Sequence, residues 1–260
     1  MTMKDISALD ELERAVREEP TVINAAEDRL REQLESDQPD DRMDAGRALR
    51  AAAEHDPELV VSHEETFVEF LASDNGSLRL SGAIGLAELS GLDPERLEHA
   101  VPQLVDALEE TVAPSIEEAI VRTLTRVGMV DPEAVVAADP VVAARLPQAT
   151  LPTQIAILRS FVGTVAKCPE LFDATTAAYA EATEADRQII SRCAVRALAT
   201  VASADPSAVP SRQRVLSRAE ELRAIAESDP RPGTGREIQA AARALTWALE
   251  GEGRTRPLNT

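Results

Sequence analysis

Residues 91–97 read GLDPERL, an Asp-Pro pair between two apolar runs, and similar stretches recur along the chain. They are EHDPELV at 54–60, MVDPEAV at 129–135, KCPELF at 167–172 and SADPSAV at 203–209. Their prolines follow one another at steps of 37, 38, 37 and 37 residues, and a further step of 37 backwards reaches Pro20. A fixed period of roughly 20–50 residues indicates stacked structural repeats.

The residues around each junction predict two helices per repeat. Asp before Pro can cap the next helix, and Pro at a first helical position loses no hydrogen bond. The third residue after each proline is apolar: Ile23, Val60, Leu97, Val135, Phe172 and Val209. Positions twelve, eight and five residues before each junction proline are mostly small or apolar, and these offsets share one helical face. Each repeat is therefore predicted as helix, turn, helix.

Composition supports the same fold class. The 260 residues are 44% hydrophobic but only 2% aromatic, so the core is expected to consist of Ala, Leu, Val and Ile in closely packed helices. We predict an all-α solenoid of about six to seven repeats in 1–230, a capping helix in 231–250 and a disordered tail in 251–260. Trp247, between two leucines of the last helix, is predicted to be a buried anchor that closes the stack.

Two stretches resemble the second helix of a HEAT repeat, which carries Asp in the turn, then Arg, then small residues and Leu. DNGSLRLSGAIGLAEL at 74–89 and DDRMDAGRALRAAA at 40–53 carry this pattern. The matching residues are Asp74, Arg79, Gly82, Ala83 and Leu86 in one copy and Arg42, Ala45 and Leu49 in the other. In later repeats Glu117, Gln154 and Ser191 replace the family arginine, so those copies depend on the period alone.

The HEAT resemblance implies a helical scaffold or adaptor that binds another protein in a concave groove. Tetratricopeptide repeats are the alternative architecture, but their bulky aromatic positions are missing. The resemblance also leaves open an enzyme subunit similar to the tetrapyrrole lyases, and a regulator that contacts nucleic acid through its Arg-rich C-terminal end.

The charge balance is strongly acidic, with 27 Lys and Arg against 46 Asp and Glu and a net charge of −19. Lys4 and Lys167 are the only lysines, and acid-rich, lysine-poor chains are typical of halophilic organisms. An ordinary acidic cytosolic protein with high-GC codon usage is the alternative. The overall field repels phosphate, so a nucleic-acid partner is disfavoured. Residues 205–260 are nearly neutral, with nine arginines and eight acids.

No residue pattern indicates catalysis, a cofactor or a metal. His55, His63 and His99 have no His or Cys four residues away, and we expect all three on solvated helices. Cys168 and Cys193 lack CxxC spacing, which favours a reducing compartment. The N-terminal stretch has no apolar signal region, and no stretch is long and apolar enough to span a bilayer. We therefore predict a non-catalytic cytoplasmic protein with a protein partner and no membrane association.

One set of residues is a candidate for partner binding. Ten residues before each junction proline, nearly opposite the apolar stripe, the chain has arginine in four of five repeats. We predict that these positions and their neighbours form a ladder in the concave groove, with rungs about 8–10 Å apart. The predicted ladder consists of Arg47, Ile84, Arg122, Arg126, Arg159, Arg192 and Arg196. Arg243 occupies the position in the last helix that corresponds to Arg196.

Two interpretations of the ladder remain open. The arginines can bind an acidic or phosphorylated segment in bidentate geometry, or each can pair with an acid on its own or an adjacent helix. Four apolar side chains are expected to lie partly exposed beside them: Leu80, Ile84, Ile155 and Val162.

Overall fold

The structure, a computed structural model, describes residues 9–228 and 234–250, and the chain forms two compact units, 1–130 and 131–260. The described ranges contain helices and turns and no β-strand. None of the helices within these ranges combines the length and apolar composition that a membrane span requires. The predicted tail at 251–260 lies outside the described residues, so its disorder stays a prediction.

The first unit contains eight α-helices among its described residues. They are α1 (Leu9–Glu18), α2 (Val22–Ala25), α3 (Glu27–Leu34), α4 (Pro39–His55), α5 (Glu64–Leu71), α6 (Gly76–Leu89), α7 (Val101–Glu110) and α8 (Pro114–Val130). The second helices of successive repeats pack side by side, α4 against α6 and α6 against α8, while α5 contacts both its partner α6 and the next first helix, α7. This arrangement builds two helical layers.

The second unit repeats this plan within its described residues. Its helices are α9 (Asp139–Arg145), α10 (Leu151–Ala156), α11 (Val162–Val165), α12 (Asp173–Ala182), α13 (Gln188–Ala204), α14 (Arg212–Ser228) and α15 (Thr234–Glu250). A π-helical turn at Ile157–Phe161 joins α10 to α11. Helix α13 packs against α15 and the π turn, and α9 packs against α12.

Short 3₁₀ helices follow five of the junction prolines, where the sequence predicted the start of an ordinary helix. They span Pro57–His63, Glu95–Ala100, Glu133–Ala138, Pro169–Leu171 and Pro206–Ala208. Three of the four junction aspartates are caps, as predicted: the carboxylates of Asp56, Asp131 and Asp205 accept the backbone N–H two residues ahead, at 3.2, 2.9 and 2.8 Å. Proline immediately after the cap holds the backbone for this tight turn.

The periodic positions of the sequence form the core. All six apolar residues three positions after a junction proline are at most 2% exposed. The residues twelve, eight and five positions before the later five junction prolines are also buried. The predicted repeat register is therefore confirmed, and each unit buries the face on which its helices meet their neighbours.

Candidate functional site

The predicted ladder positions of the first unit lie on α4, α6 and α8, three helices that pack in succession. Arg47, Ile84 and Arg126 are half-buried, whereas Arg122 is exposed. The sequence therefore places these four residues on the side of each helix that faces away from the core stripe.

In the first unit, three ladder arginines interact with groups of the same unit. Arg47 Nη1 lies 3.3 Å from Asp44 Oδ1 on its own helix. Arg122 Nη2 donates to Glu88 Oε1 on α6 at 2.9 Å. These contacts match the interpretation in which each ladder arginine pairs with an acid on its own or an adjacent helix.

Arg126 contacts the backbone of α6. Its Nη1 donates to the carbonyl of Ala87 and to Ser90 Oγ, the latter at 3.2 Å. Burial and, secondarily, the nearby Arg122 lower the pKa of Arg126. An arginine stays protonated nevertheless, so Arg126 acts as a charged bridge between α8 and α6.

The ladder arginines of the second unit have fewer partners than those of the first. Arg159 and Arg243 are exposed, and neither makes a hydrogen bond or ion pair with any residue that the structure describes. Arg192 is half-buried, and its Nε and Nη2 find no acceptor within the same described ranges. Arg196 Nη1 pairs with Glu237 Oε2 of α15 at 2.6 Å. We refer to Arg159, Arg192, Arg196 and Arg243 together as the arginine face.

The thiol of Cys193 shows that members of this face share one neighbourhood. Burial raises the pKa of Cys193, while the charges of Arg159 and Arg196 act in the opposite direction and Glu237 adds a smaller increase. These influences come from the π turn, from α13 and from α15. Arg159 of the π turn and Arg196 of α13 therefore lie near one another, while α15 contributes an acid, Glu237, to the same neighbourhood.

The π turn displays Arg159. This turn adds a residue to the helix, and the buried hydroxyl of Tyr179 donates to the carbonyl of Ile157, its first residue, at 3.0 Å. Burial raises the pKa of Tyr179 far above its ordinary value, so the hydroxyl keeps the proton that it donates. Such π turns often occur at functional positions.

The π turn also explains a wrong prediction. Leu80, Ile84 and Ile155 are half-buried, as expected, but Val162 is only 7% exposed. Because the π turn ends immediately before Val162, the extra residue rotates the following side chains relative to an uninterrupted α-helix. Val162 consequently faces the core.

Trp247 is not the buried anchor that the sequence predicted, since 70% of the residue is exposed. Helix α15 buries Ile238, Leu245 and Leu249, and Trp247 lies two residues beyond Leu245, about 200° around the helix. It therefore projects on the same side as Arg243, one turn earlier. A cleft of about 330 Å³ is lined by both residues and by five others on α14 and α15.

Charge is divided unequally between the two units. Residues 1–130 carry 12 Lys and Arg against 30 Asp and Glu, a net charge of −18. Residues 131–260 carry 15 against 16, a net charge of −1. The arginine face therefore belongs to the nearly neutral half of a strongly acidic chain.

No protein-family model matches this chain, and no curated protein matches it. Several solved structures are similar to it. An archaeal HEAT-like repeats protein from Thermococcus onnurineus superposes with a TM-score of 0.58 at 14% identity, covering 95% of this chain and 100% of that protein.

The chain has a HEAT-like repeat fold. An engineered protein of the Northeast Structural Genomics Consortium is also similar, with a TM-score of 0.66 at 18% identity over 86% of this chain and 96% of its own. At these identities the HEAT-like comparison establishes the all-α solenoid architecture and no activity.

The structure also assembles a cluster that the sequence search missed. His99 Nε2 lies 3.3 Å from Glu65 Oε1 and 3.8 Å from Glu64 Oε1, and Arg96 Nη2 lies 3.1 Å from Glu64 Oε2. We refer to Glu64, Glu65 and His99 as the Glu–His cluster. The spacing of four residues that was considered for the histidines applies within one helix, whereas this cluster joins residues about one repeat period apart. A search for complementary side chains at that separation could have found it.

The other two histidines differ from each other. His55 is exposed, as predicted for a solvated helix. His63 is half-buried, and burial lowers its pKa despite the opposing charge of Glu27. The expectation of a solvated position is therefore wrong for His63, which ends the 3₁₀ helix Pro57–His63 and lies near Glu27 and Arg31 of α3.

Proposed function

We propose that this protein is a non-catalytic HEAT-like scaffold or adaptor that binds an acidic or phosphorylated segment of a partner protein through its arginine face. The observation that carries the proposal is the lack of acidic partners for Arg159, Arg192 and Arg243 within the described residues. Acids outnumber bases by 46 to 27 in this chain, yet these three arginines have no carboxylate partner among the described residues. The concave position of the ladder stays a prediction.

The chemistry of the face suits a short anionic segment. A guanidinium presents a planar set of donors that fits a carboxylate or phosphate in bidentate geometry. Arg192 has two buried donor nitrogens without an acceptor, and a rotation of its side chain would bring them to a ligand oxygen. Trp247, beside Arg243, offers an aromatic surface for an apolar side chain of the partner.

The first unit supports a short anionic segment over a nucleic acid. Its charge of −18 opposes the long-range approach of a phosphate polymer, whereas a segment of a few residues needs only the local surface. Its ladder residues Arg47 and Arg122 already pair with carboxylates. We therefore place the binding function in the second unit.

We also propose a cytoplasmic setting, and a halophilic host, for this protein. Cys168 and Cys193 are both free, which fits a reducing compartment. A net charge of −19 with two lysines fits a surface that stays hydrated in concentrated salt.

The binding proposal is tested by fluorescence anisotropy of the full chain with labelled acidic peptides, each with and without phosphoserine, at low salt. The Arg159→Glu/Arg243→Glu variant is expected to bind at least roughly tenfold more weakly, because two exposed attractive contacts become repulsive. The matched control is Arg187→Glu/Arg214→Glu, which makes the same charge change at exposed positions of the second unit outside the face. This control is expected to retain most of the affinity.

Two results would contradict the proposal. One is an equal loss of affinity in both double variants, since net charge alone would then explain binding. The other is the absence of peptide binding by the wild-type chain together with binding to a single-stranded DNA probe, which would assign the face to nucleic acid.

A further inference from the structure

We propose that the Glu–His cluster of the first unit is a binding site for a divalent transition-metal ion of the Zn²⁺ class. One ligand atom from each of Glu64, Glu65 and His99 lies within 4.8 Å of the other two. The site is independent of the arginine face, which belongs to the second unit.

The hydrogen bond on the far side of the imidazole prepares His99 as a ligand. His99 Nδ1 lies 2.7 Å from the carbonyl oxygen of Arg96. A carbonyl oxygen only accepts, so Nδ1 carries the proton and Nε2 presents its lone pair to the two carboxylates. A backbone carbonyl that holds the second ring nitrogen is the usual arrangement around a metal-ligating histidine.

Three electron-rich atoms thus converge on one point, which favours positive charge between them in addition to that of Arg96. A proton on Nε2 or a metal cation can supply this charge. Tetrahedral Zn²⁺ with bonds of about 2.0–2.2 Å holds its ligand atoms about 3.3–3.6 Å apart, so a bound ion would draw Glu64 Oε1 slightly closer to His99. The observed separations from His99 Nε2 are 3.3 and 3.8 Å.

The two carboxylates differ in how freely their side chains can move. Glu64 is 9% exposed, and Arg96 binds its Oε2 at 3.1 Å, which leaves Oε1 directed at His99. The side chain of Glu65 is 77% exposed and can adjust toward the ion. One fixed and one adjustable carboxylate with one imidazole make a three-ligand set whose fourth position is open to solvent.

Binding would connect consecutive repeats. Glu64 and Glu65 begin α5, whereas His99 belongs to the 3₁₀ helix Glu95–Ala100 of the next repeat. An ion held by both segments binds the folded state and not the unfolded chain, so it stabilises the protein.

The test is a titration of the metal-free full chain with ZnCl₂, followed by isothermal calorimetry and thermal unfolding, with Co²⁺ absorption as a second readout. We expect one Zn²⁺ per chain and a Tm increase of roughly 5 °C at a hundredfold excess over Kd. The Co²⁺ complex should show the visible absorption of a low-coordinate site.

The variants identify the ligands. His99→Gln and Glu65→Gln are each expected to weaken Zn²⁺ binding by roughly tenfold or more. His55→Gln is the matched control, because His55 is an exposed histidine of the same unit outside the cluster. If His99→Gln unfolds the protein, Glu65→Gln still tests the site, because the Glu65 side chain is mostly in solvent and its replacement should leave the fold intact.

The proposal is overturned if the wild-type chain shows no stoichiometric Zn²⁺ binding. It is also overturned if all the variants bind as well as the wild type, which would indicate diffuse association with surface carboxylates. Unchanged affinity in Glu65→Gln alone would reject the three-ligand set.

Discussion

Single residues decide how neighbouring repeats are held together, and Asp139 is the clearest case in the second unit. This residue is 8% exposed at the start of α9, and its carboxylate accepts the backbone N–H of Thr175 at 2.8 Å and of Ala174 at 3.0 Å. Thr175 Oγ1 in turn donates to the Asp139 carbonyl at 3.2 Å. A buried carboxylate on the N-terminal N–H groups of α12 satisfies donors that would otherwise lack partners.

We expect Asp139→Ala to lower the free energy of unfolding by about 2–4 kcal/mol, because two charge-assisted hydrogen bonds disappear and the buried N–H of Thr175 and the half-buried N–H of Ala174 lose their acceptor. Chemical denaturation followed by circular dichroism measures the change. Asp173→Ala is the control, since Asp173 is an exposed residue in the first turn of the same helix. Equal effects of the two substitutions would show that the inter-helix hydrogen bonds contribute nothing beyond local helix stability.

At the scale of the helix pair, glycine sets the distance between α5 and α6. A Cβ atom on Gly82 would lie 2.5 Å from the backbone oxygen of Phe67, which no side-chain movement can relieve. A Cβ on Gly85 would lie 2.4 Å from the Phe67 ring. The two helices therefore approach more closely than alanine at these positions permits.

Gly82→Ala is expected to destabilise the protein by roughly 1–3 kcal/mol through overpacking, more than offsetting the better helix propensity of alanine. Gly76 provides a matched control on the same helix, because nothing lies within 4 Å of a Cβ placed there. Gly76→Ala should leave stability unchanged or raise it by up to about 1 kcal/mol. Thermal unfolding of both variants makes the comparison, and similar Tm values would refute the close-approach argument.

At the scale of the whole molecule, the main feature is the unequal distribution of charge between the two units. The first unit carries −18 within 130 residues, so carboxylates repel one another unless salt screens them. The Debye length falls from about 10 Å at 0.1 M salt to about 3 Å at 1 M. Screening of this kind acts mainly on exposed groups, which include most of the acids of this unit.

KCl is therefore expected to raise Tm by several degrees between low and molar concentrations, with each kcal/mol of relieved repulsion corresponding to about 2–4 °C. Differential scanning calorimetry in KCl and in sucrose separates charge screening from general stabilisation. A variant with four exposed acids neutralised should respond less: Glu32→Gln, Glu58→Gln, Glu95→Gln and Glu98→Gln. A salt response identical in this variant and in the wild type would contradict the repulsion argument.

The sequence by itself determined the helix pairs, the repeat period and the buried positions. These features depend on interactions within one helix or one turn: apolar residues such as Leu49 and Leu198 recur on one face, and Asp56 or Asp205 marks the next turn. Because the local rule is copied at each repeat, a weak signal in one copy is reinforced by the others.

Only the tertiary structure decided which side chains find partners. Arg122 meets Glu88, and His99 meets Glu64 and Glu65, across a separation close to one repeat. Trp247 is exposed because nothing in the described residues covers the outer side of α15. Such outcomes depend on the lateral position and rotation of adjacent helices, and a shift of one residue, as in the π turn, changes which side chains meet. The period of a repeat predicts that helices stack, but only their packing in three dimensions determines what lies opposite each side chain.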